Sequence, residues 1–224
     1  MQDSEFATLK TRNVHYGCGL DAPISWENFD VSPTLRIQKI PLLGHLATRY
    51  FHNVDFPEHV RYGDIVKGLP NIQENSCGAV YCSHTLEHLS LADFRIALKN
   101  TFTMLVPGGI FRCVVPDLEF AARKYVSALD SVDSSTSIAS YAFLNETLLG
   151  KKVRPRGLKA AAQLMLGNSN HLWMWDHFSL GNEIRNVGFS DVRNAVFNDS
   201  ENGAFIEVEN KARFQNAVAI EARK

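Results

Sequence analysis

The stretch Asn13 to Asp30, Asn-Val-His-Tyr-Gly-Cys-Gly-Leu-Asp-Ala-Pro-Ile-Ser-Trp-Glu-Asn-Phe-Asp, decides how the rest of the chain is read. Val14 to Tyr16 can form a short strand, and it ends in Gly17-Cys18-Gly19. Trp26 to Phe29 is a second such run, ended by the carboxylate of Asp30. In an open α/β sheet, ligands bind outside the carboxyl ends of the strands, where the strand order reverses. Glycine after the first strand lets the backbone approach a ligand with no Cβ in the way. A carboxylate ending the neighbouring strand can accept both hydroxyls of a ribose. The pattern reads as a nucleoside site. The competing reading is a tight turn followed by a surface Asp, since Gly-x-Gly with a following acid is a common combination.

Further along, His59-Val60-Arg61-Tyr62 leads into Gly63-Asp64, and Ala79 to Ser83 reads as a buried fourth strand. That strand runs directly into His84-Thr85-Leu86-Glu87-His88-Leu89. An amphipathic helix is predicted from Leu91 to Leu105, stopped by Pro107-Gly108-Gly109. An apolar strand, Ile110 to Val115, then ends in Pro116-Asp117.

Five stretches in this order resemble the class I S-adenosylmethionine-dependent methyltransferases, in particular the small type 11-like group with a Gly-Cys-Gly first loop. They are Tyr-Gly-Cys-Gly, Gly-Asp-Ile-Val-Lys-Gly-Leu-Pro, Ser-His-Thr-Leu-Glu-His-Leu, Val-Pro-Gly-Gly-Ile-Phe-Arg-Cys-Val-Val-Pro-Asp-Leu-Glu, and His-Leu-Trp-Met-Trp-Asp-His. The resemblance implies an α/β fold: a Rossmann-like, mainly parallel sheet with an antiparallel last strand. It also implies a helical insertion after the fifth strand, at about residues 130–170 of a single domain spanning 1–224. The implied cofactor is S-adenosyl-L-methionine. By resemblance it is held by Tyr16, Gly17, Cys18, Gly19, Asp30, Gly63, Asp64, Ile65, Ser83 and His84. Asp30 would take the ribose hydroxyls, Asp64 the adenine amino group, and the first-loop amides the methionyl carboxylate. The wider superfamily usually has an acidic residue two positions before the first glycine and a third glycine two after the second. This chain has His15 and Asp21 there. The resemblance points to a small-molecule or glycan-type acceptor.

Bulk properties narrow the function classes. At 224 residues the chain is long enough to bury about 70% of its unfolded surface as one domain. Hydrophobic residues make up 45% and charged residues 21%, an ordinary globular composition. A formal charge of −1 with no long basic run gives no reason to expect a nucleic-acid partner. No apolar run approaches the ~20 residues that span a bilayer, and residues 1–12 lack the apolar core of a signal peptide. A soluble cytoplasmic protein is expected. Cys18, Cys77, Cys82 and Cys113 include no Cys-x-x-Cys pair and read as small buried thiols in a reducing compartment.

Only about six residues separate Gly19 from the second strand, too few for the usual crossover helix, so a loop or single turn is expected there. Residues 35–51 suit a helix broken at Pro41, and residues 118–129 a helix after the fifth strand. Residues 138–149 and 158–166 suit two more, joined by a basic hairpin over 151–157. A helix over 179–187 capped by Gly188 precedes strands at 191–197 and 216–222.

Three stretches carry the chemistry. His84-Thr-Leu-Glu-His88 matches the H-x-x-E-H of inverted zinc peptidases, which needs a long helix and a further carboxylate ligand. Here it directly follows a buried strand, so no metal is assigned, and the resemblance reads Leu-Glu-His-Leu as the cap of the fourth strand. His171-Leu-Trp-Met-Trp-Asp-His177 suits an acceptor pocket with apolar walls and a few polar groups, or else a packing anchor. Methyl transfer is an in-line displacement governed by approach geometry, and an oxygen acceptor benefits from a base that titrates near neutrality. His171, His177 and Asp117 are the catalytic candidates. Lys151, Lys152, Arg154 and Arg156 form either a solvated loop or a clamp for an anionic acceptor. Two other functions stay open: a non-catalytic methyltransferase-fold protein acting through protein contacts, and a zinc peptidase.

Overall fold

The computed structural model describes residues 11–40, 55–131, 136–152 and 170–224. Its strands are β1 (Arg12–Tyr16), β2 (Glu27–Asp30), β3 (Arg61–Tyr62), β4 (Cys77–Ser83), β5 (Leu105–Pro116), β6 (Ser190–Asn194) and β7 (Ala217–Arg223). They form one sheet in the order β3-β2-β1-β4-β5-β7-β6. The first five pair in parallel, and β7 runs antiparallel to both β5 and β6. This is the mainly parallel Rossmann-like sheet expected from the sequence, with the antiparallel last strand in place.

Side chains alternate across a strand with a period of two. Val14, Tyr16, Val80, Cys82, Phe111 and Cys113 therefore enter one core layer, while Ala79, Tyr81, Ile110 and Val114 enter another. Parallel crossovers are right-handed, so connections running opposite ways along the sheet cover opposite faces. The β4–β5 connection holds helix α2 (Leu91–Met104), whose Phe94, Ala97 and Leu98 are fully buried on the first face. The helix before β6, α5 (His177–Val187), adds Leu180 and Ile184 to the same layer.

The opposite face lacks the helix that a β1–β2 crossover normally supplies, as the short spacer predicted. Its cover comes from the β6–β7 connection instead, which folds into the 3-10 turns Gly203–Glu207 and Lys211–Phe214. Phe205 and Val208 from that segment pack with Trp26, Tyr81, Ile110 and Val114. A buried ion network fastens it. The guanidinium of Arg112 on β5 pairs with Glu209, with Glu221 at 3.0 Å and with Asp199 at 2.8 Å.

Several boundaries differ from the sequence expectations. Helix α2 ends at Met104, and Pro107-Gly108-Gly109 lies inside β5 as an irregularity: Cys77 pairs Leu105, but Ala79 pairs Ile110. Helix α5 starts at His177 because Asp176 caps it, accepting from Phe178 N and Ser179 N. β6 ends at Asn194, three residues early. Helices α1 (Pro33–Gln38), α3 (Leu118–Asp130) and α4 (Ala139–Glu146) occupy expected positions. The lead-in at 1–10, the Pro41 break and the 158–166 helix lie outside the described residues, as do Arg154 and Arg156 of the basic hairpin. All four cysteines are buried and free. Among the described residues no helix is long and apolar enough to cross a membrane.

Candidate active site

The carboxyl ends of β1, β2 and β4 meet where the strand order reverses, the expected place for a ligand in this sheet. Gly17 and Gly19 both take positive φ, +65° and +54°. At Gly17 glycine is required twice over, since a Cβ there would sit 2.0 Å from Thr85 Oγ1 in the loop after β4. Cys18 N donates to Phe29 O at 3.1 Å, which ties the loop to β2. Asp30 completes the tie: Oδ2 accepts from Gly19 N at 2.9 Å and Oδ1 from Ser32 N at 2.7 Å. Each carboxylate oxygen has two lone pairs, so both can still accept a hydroxyl.

Gly63 N donates to Asp30 O at 3.1 Å and places Asp64 beside this loop. Asp64 Oδ1 accepts from Val66 N at 3.0 Å, and its Oδ2 lies 3.6 Å from Lys67 Nζ. The side chains of Tyr16 and Ile65 belong to the core. The Tyr16 hydroxyl accepts from Thr101 Oγ1 at 3.2 Å, so Tyr16 can serve the cleft only through its backbone. Ser83 ends β4, and His84 follows with a positive φ of +50°.

The two departures from the superfamily pattern have a structural reason. His15 points to the face covered by the β6–β7 connection, 5.1 Å from the Tyr81 ring centre. Burial drives its pKa down to about 3, against a hydrogen bond with Asn28, so the ring is neutral. A carboxylate in that enclosed position would need a cationic partner. Asp21 is half exposed and lies 4.0 Å from Arg213. Arg213, from the second 3-10 turn, lines a small cavity with Gly17, Cys18, Asp21 and Ser83.

Of the catalytic candidates, Asp117 and His177 flank a backbone bridge between Asp117 and Trp175, and His171 lies apart from them beside Glu87. Asp117 caps α3, with Oδ1 accepting from Glu119 N at 2.8 Å. His177 opens α5, its ring 4.6 Å from Phe178. His171 is buried beside the turn after β4, with Nε2 3.9 Å from Glu87 Oε1. The loop bearing His171 hangs on that turn through its backbone. Leu172 N and Trp173 N both donate to Glu87 O, at 2.8 and 3.2 Å. The two tryptophans differ in burial. Trp175 is an anchor, 2% exposed and 4.1 Å from the Phe94 ring, whereas Trp173 is 43% exposed.

Sequence reasoning missed Arg213, Thr85 and the burial of Glu87. Glu87 is fully buried, and neither carboxylate oxygen has a hydrogen-bond partner. Burial pushes its pKa up to about 8, opposed by the nearness of its own backbone N–H and by the charge of Arg213. Its place in H-x-x-E-H was the one available signal. Nothing local in the sequence marks Arg213.

A family model described as a methyltransferase domain matches residues 42–113. The matched residues make up about a third of the chain, and the sheet that carries them has the Rossmann-like order expected from the sequence. No curated protein matches the chain in sequence. Solved structures similar to it include an S-adenosylmethionine-dependent methyltransferase from Archaeoglobus fulgidus, 15% identical with a TM-score of 0.47, matched over 96% of this chain and 87% of that one. Another is an S-adenosylmethionine-dependent methyltransferase from Thermotoga maritima, described as a possible histamine N-methyltransferase. It is 15% identical with a TM-score of 0.47, over 95% of this chain and 82% of that one. A third is the CurJ carbon methyltransferase, 12% identical with a TM-score of 0.46, over 95% of this chain. The chain spans 48% of the CurJ length.

Proposed function

We propose that this chain transfers the methyl group of S-adenosylmethionine to a small-molecule or glycan-type acceptor at the carboxyl edge of the sheet. The carrying observation is the Gly17–Gly19 turn locked to Asp30 by the Gly19 N to Oδ2 hydrogen bond. It holds a carboxylate and an open backbone turn side by side at the strand-order reversal. In this reading Asp30 accepts from the ribose hydroxyls and Asp64 from the adenine amino group. The Gly17–Gly19 turn and Arg213 receive the methionyl carboxylate, with Arg213 supplying a positive charge beside the turn. Ser83 and His84 bound the cleft at the end of β4.

Transfer is then a displacement at the sulfonium carbon. The acceptor atom bonds to the methyl carbon, the carbon–sulfur bond breaks with its electron pair going to sulfur, and the acceptor's proton passes to solvent. The chain's contribution is alignment. The acceptor stands against the 171–176 loop, where exposed Trp173 offers an apolar wall and His84 lies 3.6 Å from Glu87. Of the three acid–base candidates His171 is nearest this corner, while Asp117 and His177 serve as helix cap and helix start.

Calorimetry with S-adenosylhomocysteine tests the reading. Asp30→Ala should weaken binding by about 1.5–3 kcal/mol, the worth of charge-assisted hydrogen bonds, with the fold intact. A folded wild-type chain that binds neither S-adenosylhomocysteine nor S-adenosylmethionine would overturn the reading.

A further inference from the structure

The carboxylate of Glu87 is the least explained group in the molecule. It is acceptor-only when ionised, fully buried, and without a hydrogen-bond partner from another described residue on either oxygen. Unpaired buried carboxylates are costly and are seldom left without compensation. What surrounds it is three imidazoles. His84 Nδ1, His171 Nε2 and His88 Nε2 lie 3.6, 3.9 and 4.0 Å from Glu87 Oε1.

Each ring is oriented by an acceptor on its far side. His84 Nε2 lies 2.9 Å from Arg213 O, and His88 Nδ1 lies 3.2 Å from Asn170 O. His171 Nδ1 lies 3.1 Å from Met174 Sδ, a weak acceptor. The carbonyls behind His84 and His88 take a proton on the far nitrogen of each of these two rings and leave a lone-pair nitrogen facing Glu87. Three ring nitrogens thus converge on one carboxylate oxygen, Glu87 Oε1. A dication answers that arrangement.

We propose that Glu87, His88 and His171 bind one divalent transition-metal ion of the zinc type, which clamps the 171–176 loop to the end of β4. The three ligand atoms lie within 4.8 Å of one another. Tetrahedral zinc with bonds of about 2.0 Å needs ligand atoms about 3.3 Å apart. The observed spacings to Glu87 close to that value by about half an ångström or slightly more, within the reach of side-chain rotation. Two imidazoles and a carboxylate form a borderline donor set that suits zinc better than magnesium or calcium. A carbonyl behind His88 is the second-shell partner that metal-ligating histidines use to fix their tautomer. The His88 side chain is 33% exposed, which gives an entry path.

This is not the peptidase arrangement of the H-x-x-E-H motif. There both motif histidines bind zinc and the glutamate stays outside as base. Here the motif lies on a strand end and the 3-10 turn Leu86–His88, so Glu87 joins His88 as a ligand. The remaining ligand comes from sequence-distant His171, and His84 lies outside the three-atom group. The site does not depend on the methyl-transfer reading.

The test uses the full chain without an affinity tag, stripped with chelator and titrated with Zn2+ and Co2+, with metal content and melting temperature as readouts. Expected are about one ion per chain and a higher melting temperature on loading, with both lost in Glu87→Gln and His171→Ala and both retained in His59→Ala. No bound metal and no thermal shift in the wild type would overturn the proposal, and the Glu87 carboxyl would then be held neutral by a proton. Equal stoichiometric binding in Glu87→Gln and His171→Ala would overturn it too. Should those variants fail to fold, pulsed EPR on the Co2+-loaded wild type decides. Signals from two coordinated imidazole nitrogens support the site, and their absence refutes it.

Discussion

Replacing Arg112 by Met keeps an unbranched apolar stem and removes the charged guanidinium, which tests how the β6–β7 connection is held to the sheet. The side chains of Arg112 and Glu209 are fully buried, and that of Glu221 is 6% exposed. Removing one partner of a buried ion pair costs about 3–5 kcal/mol, because the other charge is left uncompensated. Arg193 still pairs with Glu221 and Asp199, so the group stranded by the substitution is Glu209. That places the expected loss near the lower end, about 3 kcal/mol. For a chain of this length each kcal/mol lowers the melting temperature by about 2–4 °C, so a drop of about 6–12 °C follows. Urea melts of wild type and Arg112→Met should show the loss with an unchanged slope. Arg112→Met/Glu209→Gln should recover part of it, since the stranded charge is gone. The same segment carries Arg213 to the cleft, so affinity for S-adenosylhomocysteine should fall as well. A stability loss under about 1 kcal/mol would refute the claim that the network anchors the segment.

Two further outcomes follow from named contacts. Gly17→Ala should destabilise the chain by more than the roughly 1–2 kcal/mol that a left-handed backbone costs a non-glycine residue, because the new Cβ meets Thr85. Made in a Thr85→Ala background, the same change should cost clearly less, and equal costs in both backgrounds in urea melts would disprove the contact. His15 has a folded pKa of about 3, below the ordinary 6.5, so between those values only the unfolded chain takes up the proton. Its contribution is therefore full above about pH 6.5 and is lost as pH falls, by about 2 kcal/mol at pH 5. His15→Gln should flatten that part of the stability–pH curve, and an unchanged acid limb would show that His15 does not titrate as described.

Much of the frame was legible in the amino-acid sequence because it rests on local signals. Apolar runs of strand length, the Gly17-Cys18-Gly19 turn and the acid ending each of the next two strands are short-range patterns. So is the spacer too short for a β1–β2 helix. Boundaries slipped where a neighbour decided them. Leu105 to Gly109 joins β5 because β4 offers pairing partners, and His177 joins α5 because Asp176 and Ser179 close a capping box.

What covers the face left bare by the missing helix was not legible. The answer is a segment nearly two hundred residues away, held by Arg112, and no local periodicity encodes such a partnership. The same holds at Glu87. The sequence supplied His84, Glu87 and His88 as a motif, but burial of the carboxylate and the arrival of His171 are products of chain packing. An ionisable group takes its chemistry from the charges and solvent around it, and only the tertiary structure assembles those.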